Sequence, residues 1–369
     1  MLAARVGTLK YAIREVAAKA REVEARGKKI INLNIGDPLK FDFQVPTSFV
    51  EGVRKHLGKG NYSASEGVGE LRSAVAEWEG KKGVAVDAKN IYMSNGVSEA
   101  VFGLFGVLLN PGDEIIVPSP VYPIYEAYSR FFGATPVFYD GINPSVEAIQ
   151  ALIGPKTKAI VIINPNNPTG LIYDEGFLRG VTELGPLVIA DEIYDLMNFG
   201  KCPVNMGKLT SENLVVLNGF SKTFLAPGYR VGYAYFMGAD KVEGAFLKYC
   251  QSRLCANTPV QWGAIEAIKE GGSWIKPTNK KLEKRRNIAY KGLKKLGLEV
   301  EKPEGAFYVF PKLPVSDDKK FVLDLIEREG VVLVHGSGFA RAGHFRMVFL
   351  PPEEILKEAI EKIGRFMNG

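Results

Sequence analysis

Lys222 stands just behind the apolar run Leu214 to Leu217, within the stretch NGFSKTFLAPGYR at residues 218–230. An ammonium at the end of a buried strand is costly to desolvate unless it is paired or neutralised. Burial lowers the pKa of a lysine, and the neutral amine attacks carbonyls to form Schiff bases. Arg230, downstream in the same stretch, offers a fixed planar charge for a phosphate or carboxylate. Asp191 likewise follows the apolar residues Val188, Ile189 and Ala190, a poor place for a carboxylate unless it faces a cation or caps a helix. Tyr194 lies three residues further on and presents a phenol to the same ligand if a turn starts there. In Asn164-Pro165-Asn166-Asn167-Pro168-Thr169-Gly170 the prolines make a turn, and the second asparagine, Asn167, is held rigidly enough to bond a ligand. The segment Ser94-Asn95-Gly96-Val97-Ser98 joins a strand to a helix, so its backbone N–H groups form either an anion site or an ordinary end capped by Ser94 or Ser98.

These pieces explain one another. A phosphate cradle, a strand-end carboxylate, an amide in a rigid turn and a lysine beside an arginine match the needs of pyridoxal phosphate. That cofactor requires an amine for its aldehyde, an acid to keep its ring nitrogen protonated, and donors for its phosphate. A protonated ring is an electron sink, and the displaced lysine can then carry a proton between carbon atoms.

The elements that must position these groups follow from hydrophobic periodicity. Residues 8–26 align Ile13, Val16, Ala17, Ala20 and Val23 on one stripe, predicting a helix that Gly27 stops. A short strand then runs into a turn at Gly36-Asp37-Pro38, and helices are expected over Phe49 to His56 and Glu70 to Lys81. From residue 91 to about 240, seven runs (IYMS, EIIVP, TPVFYD, AIVIIN, PLVIADE, LVVLNGF and VGYAYF) alternate with helices or loops. Runs apolar on both faces argue for a mainly parallel seven-stranded sheet covered by helices, with ligands outside its carboxyl ends. Beyond 240 come charged helices, a mostly β segment LEVEKPEGAFYVFP, a helix near Lys319 to Arg328, the strand VVLVH and a terminal helix. The expected α/β protein therefore has a large domain over 45–240 and a smaller α+β domain made of 1–44 together with 241–369.

Composition narrows the classes. The chain has 369 residues, 46% of them hydrophobic and 24% charged, as in an ordinary globular protein of two domains. Its net charge of +6 is spread without a basic tract, which argues against nucleic acid. Three cysteines without C-x-x-C spacing and three scattered histidines give neither a disulfide framework nor a metal site. Neither a signal peptide nor a membrane-length apolar run is visible, so a cytoplasmic enzyme is expected.

The N-P-x-N-P-T-G, D-E-x-Y and S-K-x-x-x-x-x-G-x-R segments, in this order and over nearly the whole length, resemble the class I/II aminotransferases of fold type I. The resemblance implies that Lys222 forms the Schiff base, Asp191 pairs with the pyridinium, and Asn167 and Tyr194 contact the ring oxygen. It gives Arg230, Ser221 and the backbone of Val97 and Ser98 to the phosphate. Tyr122, in Ser119-Pro120-Val121-Tyr122-Pro123, resembles the aromatic that stacks on the ring; a packed core tyrosine is the alternative. Arg346, in His344-Phe345-Arg346-Met347, resembles the arginine that takes the substrate α-carboxylate, and Gly36 would touch that carboxylate through its backbone. Tyr62 resembles a tyrosine that reaches the neighbouring subunit's phosphate, which implies a homodimer. Gly219 departs from the pattern, since many relatives carry a phosphate-bonding serine there.

Arg253-Leu254-Cys255-Ala256-Asn257-Thr258-Pro259 and His335-Gly336-Ser337-Gly338-Phe339, with Asn34 to Phe43, look most like archaeal alanine aminotransferases. That implies an amino acid and a 2-oxo acid as partners: L-alanine and 2-oxoglutarate giving pyruvate and L-glutamate. Arg253 then either holds the distal carboxylate of glutamate or is a structural or interface residue. The same scaffold admits an aspartate or aromatic aminotransferase or a carbon–sulfur lyase. A nicotinamide dehydrogenase is disfavoured, because no G-x-G-x-x-G follows a strand.

Overall fold

Strand β1 (Ile31–Asn32) belongs to an outlying sheet, whereas the main sheet is built from β2 (Ile91–Ser94), β3 (Glu114–Ser119), β4 (Thr135–Asp140), β5 (Thr157–Ile163), β6 (Leu187–Asp191), β7 (Leu214–Gly219) and β8 (Gly232–Met237). The computed structural model describes residues 2–9 and 11–369, so the helix expected over 8–26 includes one residue, 10, that lies outside the description. The seven strands run in the order β2-β8-β7-β6-β5-β3-β4. Pairs are parallel except at β8, which is antiparallel to both β2 and β7. Alternation with a period of two sends Ile160, Ile162, Val188, Leu214 and Val216 into one core, and Val161, Ile163, Ile189, Val215 and Leu217 into another on the opposite face.

The helices are α1 (Ala12–Ala25), α2 (Thr47–Lys55), α3 (Gly69–Lys81), α4 (Val97–Leu108), α5 (Pro123–Phe131), α6 (Val146–Gln150), α7 (Glu175–Thr182), α8 (Asp240–Arg253), α9 (Thr258–Glu270), α10 (Ile275–Lys295), α11 (Asp318–Glu329) and α12 (Glu353–Asn368). One face of the sheet is covered by α4, α5 and α8 through Leu104, Tyr125 and Phe246. The other lies under α3, α7 and α9 through Val75, Leu178 and Ala264. A third core joins α1, α10, α11 and α12 through Val16, Leu282, Leu325 and Ile363. Around it lie β9 (Tyr308–Val309), β10 (Val331–Val332), β11 (Val334–His335) and β12 (Phe345–Val348).

The cores change over later than the charge pattern predicts. A second unit was expected from 241, but Phe246 and Cys250 of α8 pack on the main sheet. The apolar face of α9, from Val260 to Ile268, does the same on the other side. The third core resumes only at Leu282 in α10. At the N-terminal end Phe43 lies in the third core and Val45 packs against the main one. The run VVLVH is also not one strand. Val331–Val332 pairs in parallel with β1, and Val334–His335 turns to pair antiparallel with β12. In LEVEKPEGAFYVFP only β9 is a strand, joined by a bridge between Glu299 and Lys312. Among the described residues no helix is long and apolar enough to cross a membrane.

Helices α2 and α9 cross where Gly52 faces Gly263, and a Cβ on Gly263 would lie 2.3 Å from Val53 Cγ2 and 2.9 Å from the Phe49 carbonyl. Gly263→Ala should therefore cost about 1–3 kcal/mol by forcing the helices apart, read as a lower denaturation midpoint. Gly58→Ala, whose Cβ would meet nothing within 4 Å, should leave that midpoint nearly unchanged.

Candidate active site

Parallel register brings the carboxyl ends of three strands side by side. Ile163 pairs with Asp191, and Asp191 with Leu217, so the acid that ends β6 lies beside the strand that leads into Lys222. A cavity of about 210 Å³ opens over these ends. Eleven of the residues singled out from the sequence line it: Lys222, Asp191, Tyr194, Asn167, Tyr122, Val97, Ser98, Ser221, Arg230, Gly36 and Arg346. Tyr62 and Arg253 do not.

The Lys222 Nζ donates to the Gly36 carbonyl at 2.8 Å. Burial brings its pKa down from 10.5 to about 8; Arg346 and Arg230 push the same way, and Asp37 and Asp191 oppose them. Burial moves Asp191 in the opposite direction, from 3.8 up to about 6. Hydrogen bonds from the Tyr125 hydroxyl at 2.6 Å and the Ile193 N–H at 3.2 Å partly restore its acidity, as does the Lys222 charge. Asp191 is thus a strand-end carboxylate with two donors, not a helix cap.

Arg346 is fully buried on β12. Its guanidinium lies 4.5 Å from the Tyr308 ring centroid and 4.7 Å from that of Phe339. One Nη donates to Asn167 Oδ1 at 3.1 Å and the other to the Asn34 carbonyl at 2.6 Å, while Nε has no partner among the described residues. Asn166 and Asn167 divide the labour of their turn. Asn166 Oδ1 accepts from the Thr169 N–H at 3.2 Å and its hydroxyl at 2.9 Å, which frees Asn167 for the cavity. Tyr194 shares a hydrogen bond of 2.7 Å with Tyr308, and Tyr122 one of 2.8 Å with Tyr11.

The first turn of α4 is uncapped by any side chain. Gly96 is its N-cap at φ +84°, Ser94 donates to the Gly96 carbonyl at 3.1 Å, and Ser98 sits inside the helix. Of the two readings of this segment, the serine cap is thus not formed, and Val97 and Ser98 of the first turn line the cavity. A Cβ at Gly96 would lie 2.2 Å from an Nη of Arg230, and one at Gly232 would lie 2.6 Å from the Val97 nitrogen. Arg230 itself adopts φ +57°, a conformation that costs about 1 kcal/mol or more and persists only where the surroundings impose it. Its guanidinium is aimed by the Pro227 carbonyl at 2.9 Å and the Asn95 carbonyl at 3.3 Å. Gly219 faces Gly232 across β7 and β8, where a Cβ would come within 2.8 Å of the Gly232 Cα, so this chain has no room there for a serine.

Arg253 lies outside the cavity: one Nη donates to the Ser65 carbonyl at 3.1 Å and the Met93 carbonyl at 2.7 Å, the other faces Glu99 at 3.3 Å, and Nε has no partner among the described residues. Those contacts suit a structural residue. Tyr62 is 78% exposed on the surface. Sequence reasoning missed Tyr125, Tyr308, Tyr11 and Arg14. Tyr125 had a signal, one helical turn past Tyr122, whereas Arg14 was submerged in the polar face of α1.

Residues 28–363 match the family described as aminotransferase class I and II. The chain belongs to that family. It is 37% identical to the glutamate-pyruvate aminotransferase of Haemophilus influenzae, over 96% of this chain and 94% of that one. It is 36% identical to an aspartate aminotransferase of Thermotoga maritima, over 96% of each. An alanine aminotransferase structure from Pyrococcus furiosus superposes with a TM-score of 0.96 at 43% identity, covering 100% of both chains. The protein is a pyridoxal-phosphate-dependent aminotransferase. Its donor set fits that cofactor: a lysine whose pKa burial brings to about 8, a buried acid, an uncapped helix start beside an arginine, and a buried guanidinium with an orphan N–H.

The Lys222 shift makes stability depend on pH. Between pH 8 and 10.5 the unfolded chain holds the lysine proton and the folded chain does not, so this residue's contribution to stability rises with pH across that window. Below pH 8 the buried charge costs roughly 3 kcal/mol. In denaturant titrations of cofactor-free protein, Lys222→Met should be the more stable form by about that much at pH 7, the gap closing towards pH 10.5. A gap that ignores pH would contradict the assignment.

Proposed function

We propose that this enzyme transfers the amino group of L-alanine to 2-oxoglutarate in two half-reactions, yielding pyruvate and L-glutamate. One observation carries the proposal: Lys222, Asp191, Arg230 and Arg346 converge on a single cavity that the exposed residue Arg14 also lines. When bound, pyridoxal phosphate supplies the electron sink that makes a C–H bond beside an amine acidic. Lys222 is the amine that would hold its aldehyde and the base that would carry a proton there; the hydrogen bond to the Gly36 carbonyl fixes the position of that amine. Asp191, oriented by the Tyr125 hydroxyl, would pair with the ring nitrogen, and Tyr122 would stack on the ring. Asn167 and Tyr194 would hold the ring oxygen. Arg230, Ser221 and the N–H groups of Val97 and Ser98 hold the phosphate, where a helix N-terminus favours negative charge.

Arg346 takes the α-carboxylate. A buried guanidinium with a free Nε–H, already steered by Asn167 and the Asn34 carbonyl, is prepared for a bidentate partner. Gly36 lines the same end, and its lack of a side chain matters, because a Cβ would lie 2.3 Å from the Tyr308 hydroxyl. Glutamate and 2-oxoglutarate carry a second carboxylate, for which Arg14 is the available cation, having no ion-pair partner among the described residues. Alanine as donor is supported by the names of the Haemophilus and Pyrococcus proteins; aspartate, the donor named for the Thermotoga relative, is the second candidate because it too would use Arg14. Two copies would pair so that exposed Tyr62 reaches the phosphate of the neighbouring site, in a cytoplasmic enzyme.

L-alanine added to cofactor-loaded enzyme should shift its visible absorbance and release pyruvate, and 2-oxoglutarate should reverse the shift. Lys222→Ala should do neither. A response to aspartate but not alanine would replace the donor. Arg14→Gln should raise KM for 2-oxoglutarate about tenfold or more, the scale of a lost charged hydrogen bond, while the alanine half-reaction changes little. Equal effects on both half-reactions would remove Arg14 from this role.

A further inference from the structure

We propose that Asp195, with Lys82 as its counter-ion, is a positioning residue that holds Lys222 in place from the face of the sheet opposite Asp191. Neither residue lines the cavity. The Asp195 carboxylate is buried and accepts from three groups. Oδ2 takes hydrogen bonds from Lys82 Nζ at 2.6 Å and Asn218 Nδ2 at 3.0 Å, and Oδ1 lies 3.5 Å from the Thr223 hydroxyl. Two of these donors bracket the reactive amine, Asn218 before Lys222 and Thr223 directly after it. Asp195 itself follows Tyr194 and donates its backbone N–H to the Glu192 carbonyl at 2.9 Å. One carboxylate therefore ties the segment that carries Asp191 and Tyr194 to the segment that carries Lys222.

The alternation of the sheet explains the sidedness. Asp191 pairs with Leu217 and faces Tyr125 on α5, whereas Asn218 and Glu192, each one residue on, point to the other face. There Lys82, just past the end of α3, also contacts Glu79 at 2.6 Å, and Glu79 accepts from the Tyr233 hydroxyl at 2.5 Å. Burial alone would lower the Lys82 pKa, but the Asp195 and Glu79 charges outweigh it and leave it raised. Glu192 is pushed by burial up to about 8, so it keeps its proton at neutral pH while accepting from Asn205 and the Met206 N–H. Lys82 is thus a fixed cation between α3 and the sheet. Thr223 is gripped once more from outside, its carbonyl accepting from the Trp274 indole at 2.7 Å. A network that served only to pack α3 would not need to hold both Asn218, at the end of β7, and Thr223, directly after Lys222.

The test compares Asp195→Asn and Thr223→Val with Tyr233→Phe, which loosens the same network at its Glu79 end without touching Asp195, Asn218 or Thr223 by a side-chain hydrogen bond. In the cofactor-loaded enzyme, Asp195→Asn should lower kcat by about tenfold or more with KM within about threefold, the sign of a misplaced catalytic group. Thr223→Val keeps the ion pair and should show a smaller fall in kcat, so a failure of Asp195→Asn to fold leaves the proposal open to refutation. Tyr233→Phe should lower the melting temperature without lowering kcat. A second readout needs no turnover and stands apart from the role proposed for Lys222 in transamination. In cofactor-free protein, the pH midpoint for reductive methylation of Lys222 by formaldehyde, located by mass spectrometry, should lie near 8 in the wild type. It should rise by about half a unit or more in Asp195→Asn as the amine gains water. If Asp195→Asn and Thr223→Val lose only melting temperature, and kcat and the methylation midpoint stay with the wild type, Asp195 is structural and the proposal fails.

Discussion

A single low-dielectric floor acts on Lys222 and Asp191 in opposite senses. Both sit where parallel strands end under helices, and burial moves the amine down to about 8 and the acid up to about 6. Each shift disfavours the charged form, so each group gains most from a partner that restores its charge or uses its neutrality. A neutral amine is a nucleophile, and a buried carboxylate attracts a protonated ring. The rest of the molecule supplies the geometry: a rigid sheet sets the spacing, and the third core delivers Arg346 to the opposite wall.

The cationic groups around the cavity are held by backbone oxygens more than by carboxylates. Arg230 bonds to the Pro227 and Asn95 carbonyls, Arg346 to the Asn34 carbonyl and the Asn167 amide, and Lys222 to the Gly36 carbonyl. Neutral acceptors orient a cation without cancelling its charge, which leaves that charge free for an anionic ligand. On the far face the opposite strategy prevails. Lys82 lies between two carboxylates and is matched on the spot.

Much of this was legible in the amino-acid sequence, because strand-end chemistry is local. A lysine or aspartate directly after a β-branched run is conspicuous whatever surrounds it, and the seven runs predicted the main sheet. What escaped detection was set by distance in space. Tyr125 and Tyr308 gain their roles only from the Asp191 and Tyr194 groups they meet, each more than sixty residues away (|i−j| of 66 and 114). Arg253 could be read either as a substrate cation or as a structural residue, and the choice depends on Ser65, Met93 and Glu99, which it meets only in the folded chain. Charge content misplaced the second core, since α9 hides its apolar face among charged neighbours. The first turn of α4 could be read as an anion site or as a serine-capped end, and only the fold shows Gly96 at the cap position with no side-chain cap.

Arg346 joins parts of the chain that are made at very different times. Its bonds reach Asn34, 312 residues earlier, and Asn167, 179 residues earlier. During vectorial synthesis the main sheet and Lys222 emerge first, whereas Arg346 arrives only with the final strand and helix, β12 and α12. A chain ended before β12 would thus keep the strand ends that carry Asp191 and Lys222 and lack the guanidinium that Asn34 and Asn167 orient.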